Sequence, residues 1–406
     1  MRTKCGASGT IQGLDQPFYS VGAAAMSGPL NGVRVVDLTT LIMGPWATQI
    51  LGDLGADVIK VEPEAGDPLR HVGPMRNPGM GPLFLQANRN KRSILLNLKE
   101  EAGMQKLREL IADADVLISN VRPQAMARLG LDYASATKIN PAIIYCSTVG
   151  YGEGGPNSGA PAFDDLMQAA SGFAGIFAQI DGKPRYAPTN FCDRVTGLYA
   201  VIAIQAALYH RRLTGEGQQI EVPMFETMAD FVLADHLYGR AFLPPLGEGG
   251  YPRLLSRTRG PYATRDGYIA VMVYTDAQWR RLGELIGRPR LIDEDERFRN
   301  LQSRTDNAEA VGQLLAEEMA GKTTEEWLAA LKTADIPASP VNSLDDLLRD
   351  PHLQAVNFFR EVQHPGEGTL LVPRSPLTFS RTPLQTGRHA PRPGEHNSEF
   401  GIDPPD

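Results

Sequence analysis

Short apolar runs alternate with stretches of helical spacing between residues 33 and 147, and this alternation constrains the fold more than any other feature. The runs are Val33–Leu38, Asp57–Glu62, Ser93–Leu98, Asp115–Ser119 and Ala142–Ser147. Trp46–Leu54 lies between the first two, and Glu100–Ala112 between the third and fourth, both with apolar residues at helical period. Pro45 in a first helical turn and Gly55 after a last one are the expected punctuation. Strand and helix in alternation need crossover connections, so the sequence predicts an α/β fold with a largely parallel, doubly wound sheet. Ligands of such sheets sit beyond the carboxyl ends of the strands. Glu62, Asn120 and the glycine-rich loop Gly150–Pro156 are expected to face that crevice.

Downstream, Phe191–Gly197 runs straight into the apolar stretch Leu198–Leu208. This places the carboxyl of Asp193 where a long helix begins. There it is expected to accept hydrogen bonds from free helix N–H groups and to stay ionised. Gly215 stops that helix, Gln219–Val222 reads as another strand, and a helix follows from Phe225 to about Phe242. A Pro/Gly-rich boundary spans Leu243–Gly250. Beyond it, the turn Arg265-Asp266-Gly267 leads into the strand Tyr268–Val273, with helices at Ala277–Ile286, Ala308–Met319 and Thr324–Thr333. The expected organisation is a loosely ordered extension (1–29), the first part of a large domain (30–224), a linker helix (225–250), a small α+β domain (251–335) and a return segment (336–406). That last segment, rich in Pro and Gly, is expected to pack back on the first domain or on another subunit.

The formal charge of −7 gives no reason to expect nucleic acid as a partner. Three cysteines, Cys5, Cys146 and Cys192, form no CxxC pair and no Cys/His cluster. That argues against a disulfide framework and against a metal site, and for a reducing, cytoplasmic compartment. The N-terminal residues lack the charged start and apolar core of a signal peptide. No apolar run reads as long enough to span a bilayer, so no membrane is expected. The Gly150–Pro156 loop lacks GxxxxGK[ST] spacing and a following helix start, which leaves a flap over a site or an ordinary turn. GxSxG and a Ser/His/Asp set are absent. Asp164 and Asp165 either cap a helix beginning at Leu166 or share a cleft with Asp193. Asn88–Ser93 is a basic knot, either a solvated edge or a phosphate site, with Arg70, Lys99, Arg122 and Arg128 adding positive charge near strand ends.

Taken in order, Gly32–Leu38, Gly44-Pro45, Leu51–Glu62, Gly66–Arg70, Asn90–Ser93, Asp115–Asn120, Gly150–Gly152, Phe163-Asp164, the Asp193 segment, Arg212–Gln218 and Gly394–His396 resemble the class III CoA-transferases. That family includes formyl-CoA transferase, carnitine CoA-transferase and α-methylacyl-CoA racemase, and the resemblance runs from about Leu30 to the C-terminus. It implies a Rossmann-like large domain built from both chain ends, a smaller domain between them, and a homodimer of two interlocked rings. It also implies that Asp193 is the catalytic residue. Met43, Leu96, Lys99, Asn120, Val121, Arg122 and Arg128 would then line the coenzyme A site, with Asp164 beside the nucleophile. An acyl-CoA donor, a carboxylic acid acceptor and no metal follow from the same likeness, with transfer through an aspartyl anhydride and an aspartyl-CoA thioester. Racemisation at the α-carbon of an acyl-CoA is the alternative, and CoA binding without turnover is a third reading.

Two departures bear on these readings. Ile42 stands where formyl-CoA transferase has a glutamine, and Pro63 where that enzyme has a nucleotide-holding arginine, which weakens a formyl-specific reading. Phe163 stands where the racemases place a histidine, which removes their partner base. The donor and acceptor acids are not fixed by these motifs.

Overall fold

The computed structural model describes residues 28–384 and 387–403. The expected N-terminal extension and Cys5 lie outside the described residues, apart from positions 28 and 29. Six strands form one sheet: β1 (Arg34–Asp37), β2 (Asp57–Glu62), β3 (Lys91–Leu95), β4 (Val116–Ser119), β5 (Ile144–Val149) and β6 (Gln219–Pro223). Their order is β3-β2-β1-β4-β5-β6 and every pairing is parallel. This is the doubly wound α/β arrangement the alternation predicts, with its topological switch between β1 and β4.

Helices cover both faces, which is why the strands are apolar on both sides. Val36, Ile59, Ile94 and Leu117 pack toward α3 (Glu101–Ala112) and α5 (Tyr133–Ile139). Val35, Val58, Ile118 and Ile144 pack toward α1 (Met43–Asp53) and α8 (Phe191–Thr214). The shorter helices between are α2 (Pro82–Ala87), α4 (Pro123–Arg128), α6 (Asp164–Ala170) and α7 (Phe173–Asp181), and α9 (Met224–His236) follows β6.

Several boundaries move. Strand β3 starts two residues before the expected Ser93 because Lys91 is fully buried and ion-paired to Asp37 at 3.1 Å. Helix α9 ends at His236 rather than Phe242, since Tyr238 takes a φ of 44° that an α-helix does not admit. Helix α8, with 24 residues, is long and apolar enough to cross a bilayer, contrary to the expectation that no run is. Its Ala200, Val201, Ile204 and Ala207 lie in the sheet core, while Leu198, Ile202, Tyr209 and Leu213 are exposed on this chain.

The basic knot is neither a solvated edge nor a phosphate site. Asn88, Arg89, Asn90, Lys91 and Ser93 are buried, and Arg89 pairs with Asp53 at 2.8 Å. Glu62 likewise does not face the crevice. It is buried against Arg70, which donates to it from Nε at 2.7 Å and from Nη2 at 2.6 Å.

The smaller unit pairs β7 (Tyr262–Ala263), β8 (Tyr268–Val271) and β9 (Ala338–Pro340) antiparallel. Helices α10 (Pro252–Leu255), α11 (Asp276–Leu285), α12 (Leu291–Glu294), α13 (Leu301–Asp306), α14 (Ala308–Met319) and α15 (Thr324–Thr333) surround them. Trp279, Leu282, Leu315, Trp327 and Leu331 supply a separate core. Strand β9 carries this unit past residue 335. The chain then returns to the large domain, where the His396 amide donates to the Ser93 carbonyl at 3.0 Å and Asn397 Oδ1 accepts from Leu95 at 2.9 Å. Among the described residues, the early strands β1–β3 and the late segment around His396 and Asn397 therefore pack in one unit.

Candidate active site

At the switch between β1 and β4 the chain leaves the sheet in opposite directions. Asn120 joins the two exits: its Oδ1 accepts from the Thr40 amide at 3.0 Å and its Nδ2 donates to the Thr40 carbonyl at 2.8 Å. The cleft that opens there has a volume of about 400 Å³. Met43, Asn120, Val121, Arg122, Asp164 and Asp193 line it together, so these expected positions converge. Leu96, Lys99 and Arg128 do not reach it. Leu96 is buried in the core with Leu38 and Met126, and Lys99 and Arg128 are exposed on the segments that follow β3 and β4.

Asp193 is the third residue of α8, but it does not cap that helix. Asp164 does so from a distance, its Oδ1 accepting the Asp193 N–H at 2.9 Å. The other oxygen of Asp164 accepts from Gln168 Nε2 at 2.6 Å, and Gln168 Oε1 accepts from the Ala187 amide at 2.8 Å. Asp164 is thus held at the first turn of α6 and sits against Asp193. Burial, and then the charge of Asp164, push the Asp193 carboxyl up to about 7. Arg194 opposes this as the smallest of the three influences, and its guanidinium lies over the Trp46 ring at 4.1 Å. The expectation that Asp193 simply stays ionised is therefore corrected: near neutrality it is poised between its two states. A carboxylate made this basic is a better nucleophile than an exposed one.

Residues 30–397 match CoA-transferase family III. The chain belongs to this family. It is similar to the succinate–glutarate CoA-transferase of Agrobacterium fabrum, 36% identical over 385 residues that cover 91% of this chain and 94% of that protein. It is also similar to the formyl-CoA:oxalate CoA-transferase of Streptomyces avermitilis, 35% identical over 400 residues that cover 93% and 95%. A crystal structure of a CaiB/BaiF family protein from Brucella suis superimposes with a TM-score of 0.78 at 34% identity, covering 92% of this chain and 98% of that one.

Close approaches fix the site of this family III member. A Cβ on Gly197 would stand 2.9 Å from the Met43 carbonyl oxygen, so α8 meets α1 with no room for a side chain. A Cβ on Gly150 would meet that of Ala162 at 2.2 Å. The glycine-rich loop is pinned at its centre: the Gly152 amide donates to Glu226 at 3.0 Å and the Glu153 amide to Glu221 at 3.0 Å. Those two N–H groups are taken, which leaves Gly150 and Tyr151 as the loop residues that line the cleft. Sequence reasoning did not find Gln168, although its place four residues after Asp164 on one helix face was the available signal. Glu221 and Glu226 lie too far along the chain for any spacing to reveal them.

Proposed function

We propose that this protein transfers CoA from an acyl-CoA thioester to an acceptor carboxylic acid, with Asp193 as the nucleophile. The observation that carries this reading is the Asp193 carboxyl, poised at about 7 beside Asp164 in a cleft at the switch point. The Asp193 carboxylate attacks the thioester carbonyl, and collapse of the tetrahedral intermediate gives a mixed anhydride and CoA thiolate. The thiolate attacks the aspartyl carbonyl, which releases the donor acid and leaves an aspartyl-CoA thioester. The acceptor carboxylate attacks that thioester to form a second anhydride and thiolate. Attack by the thiolate on the acceptor's acyl carbon completes the new thioester and restores Asp193. Overall one thioester replaces another of similar energy, and the anhydrides between them are higher in energy and open to hydrolysis, so positioning and water exclusion dominate.

Backbone N–H groups at Gly150 and Tyr151 are assigned to the oxyanions, where loss of one donor typically costs about 3 kcal/mol. Met43, Asn120, Val121 and Arg122 are assigned to the thiol arm of CoA, and the exposed cations Lys99 and Arg128 to its phosphates. Leu96, packed in the core with Leu38 and Met126, is given no contact with CoA. Relatives named for succinate, glutarate and oxalate support short dicarboxylic acids as donors and acceptors. Phe163, exposed at the cleft, offers no imidazole for proton shuttling and speaks against racemisation. The exposed apolar face of α8 supports an interlocked homodimer, and the buried free thiols of Cys146 and Cys192 support a cytoplasmic setting.

Replacement of Asp193 by Ala is expected to lower CoA exchange at least about a thousandfold while CoA binding persists. Mass spectrometry of thioesters formed from succinyl-CoA and glutarate reads the result. Exchange retained in that variant removes Asp193 from the role.

A further inference from the structure

The small unit holds a second cavity, of about 300 Å³, that shares no lining residue with the Asp193 cleft. Its floor is the local core, where Trp279 of α11 meets Val311 and Leu315 of α14. Its rim carries Arg253, Arg259 and Tyr262.

The cations at this rim differ from their neighbours. From Arg265 to Arg304 every arginine faces a carboxylate oxygen at 3.4 Å or less. Arg253 and Arg259 do not. Among the described residues, the Arg253 side chain meets only the thioether of Met272, 3.0 Å from Nη2, and Arg259 has no side-chain partner. Arg257, between them, turns away and donates from Nε to the Ile180 carbonyl at 2.9 Å. Tyr262 lines the same cavity as Arg253 and Arg259, and burial pushes its phenol up against the pull of those two cations. Two guanidiniums without an acid and a tyrosine, lining one cavity with an apolar floor, form an open position for an anion with a hydrocarbon body. A bare phosphate would leave the tryptophan floor uncovered.

We propose that this cavity binds a small organic carboxylate, its charged end on Arg253, Arg259 and the Tyr262 hydroxyl and its hydrocarbon stem on Trp279. The site is independent of the transferase reading, because it uses nothing from the Asp193 cleft.

The test is titration of hexanoate into the full-length protein, followed by calorimetry and by tryptophan fluorescence. The expected result is saturable binding that weakens at least about tenfold in R253Q/R259Q, a loss of about 1.4 kcal/mol. R253K/R259K, which keeps the charges but loses the planar fork, should bind more weakly than the parent and more tightly than R253Q/R259Q, and Asp193→Ala should leave binding unchanged. Binding lost in the Asp193 variant but kept in R253Q/R259Q would assign the acid to the other cleft and overturn the proposal. Inorganic phosphate binding as tightly as hexanoate would also overturn it.

Discussion

Asp37 is the last residue of β1 and Asp193 lies in the cleft beyond that strand; burial pushes both carboxyls up, yet they end far apart. Lys91 at 3.1 Å, Lys60 and the hydroxyls of Thr39 and Thr48 hold Asp37 down at about 2 in spite of complete burial. At Asp193 burial is joined by the charge of Asp164, with only the lesser pull of Arg194 against them, so its carboxyl rises to about 7. Desolvation has one sign in both places, and the company decides the outcome. The paired cluster also serves the unpaired one. Lys60 donates to the Thr39 carbonyl at 2.8 Å and Lys91 to the Pro45 carbonyl at 3.0 Å. They pin both ends of a loop whose Thr40, Leu41 and Met43 form a wall of the cleft. The fold pairs its buried lysines with Asp37 and Asp67 beneath the cleft and leaves Asp193 with no ion pair of that kind.

The sharpest way to break this contrast is to unpair the paired cluster. Lys91→Met leaves Asp37 buried with its nearest counter-charge gone, and should destabilise the protein by about 3–5 kcal/mol. The urea midpoint, compared at constant slope, measures it. Asp37→Leu combined with Lys91→Met should recover much of the loss, because no charge is then stranded. An unchanged midpoint in the single variant would show that the ion pair does not hold the loop.

A smaller effect should come from the acidic pair. Asp164→Asn removes the charge beside Asp193 while one oxygen still accepts the Asp193 amide. The Asp193 carboxyl should then titrate lower, and the acid limb of the kcat/KM profile should move down from near pH 7 by about one unit. The position of that limb, rather than the absolute rate, is the readout. A limb that stays in place means that burial alone sets the basicity of Asp193.

The sheet and the place of Asp193 at the start of a long helix were legible because each depends on nearby residues. Valine- and isoleucine-rich runs at the spacing of crossover units carry the parallel sheet, though not its strand order, and Asp193 stands at the start of an apolar helix. The state of Asp193 was not legible. Position at a helix start suggests an ionised cap, whereas the cap is Asp164, 29 residues earlier in sequence. The basic knot misleads for a related reason. Arg89 and Lys91 look like surface charge until Asp53 and Asp37, more than 30 residues away, are brought against them. Lys99 and Arg128 keep their expected place beyond strand ends, but only the folded chain shows that they stand outside the cleft.

The smallest expected effect concerns stability and shows what an uncompensated acid costs the fold. A carboxyl whose folded pKa is raised contributes stability that is full below its unfolded value, near 3.8, and is lost as pH rises toward about 7. In that window the unfolded chain has released a proton that the folded chain retains. Asp193→Asn has no such proton, so its stability relative to the parent should grow from pH 4 to pH 7 and level off above. The gain should be on the order of 1–3 kcal/mol, bounded by about 1.4 kcal/mol per pH unit. Urea unfolding of both proteins across that range gives the difference directly. A difference that stays flat with pH would mean that Asp193 carries no raised pKa, and would remove the contrast with Asp37 even if the variant is inactive. A difference that grows as described would show that the basicity offered to the substrate is held at the expense of the fold.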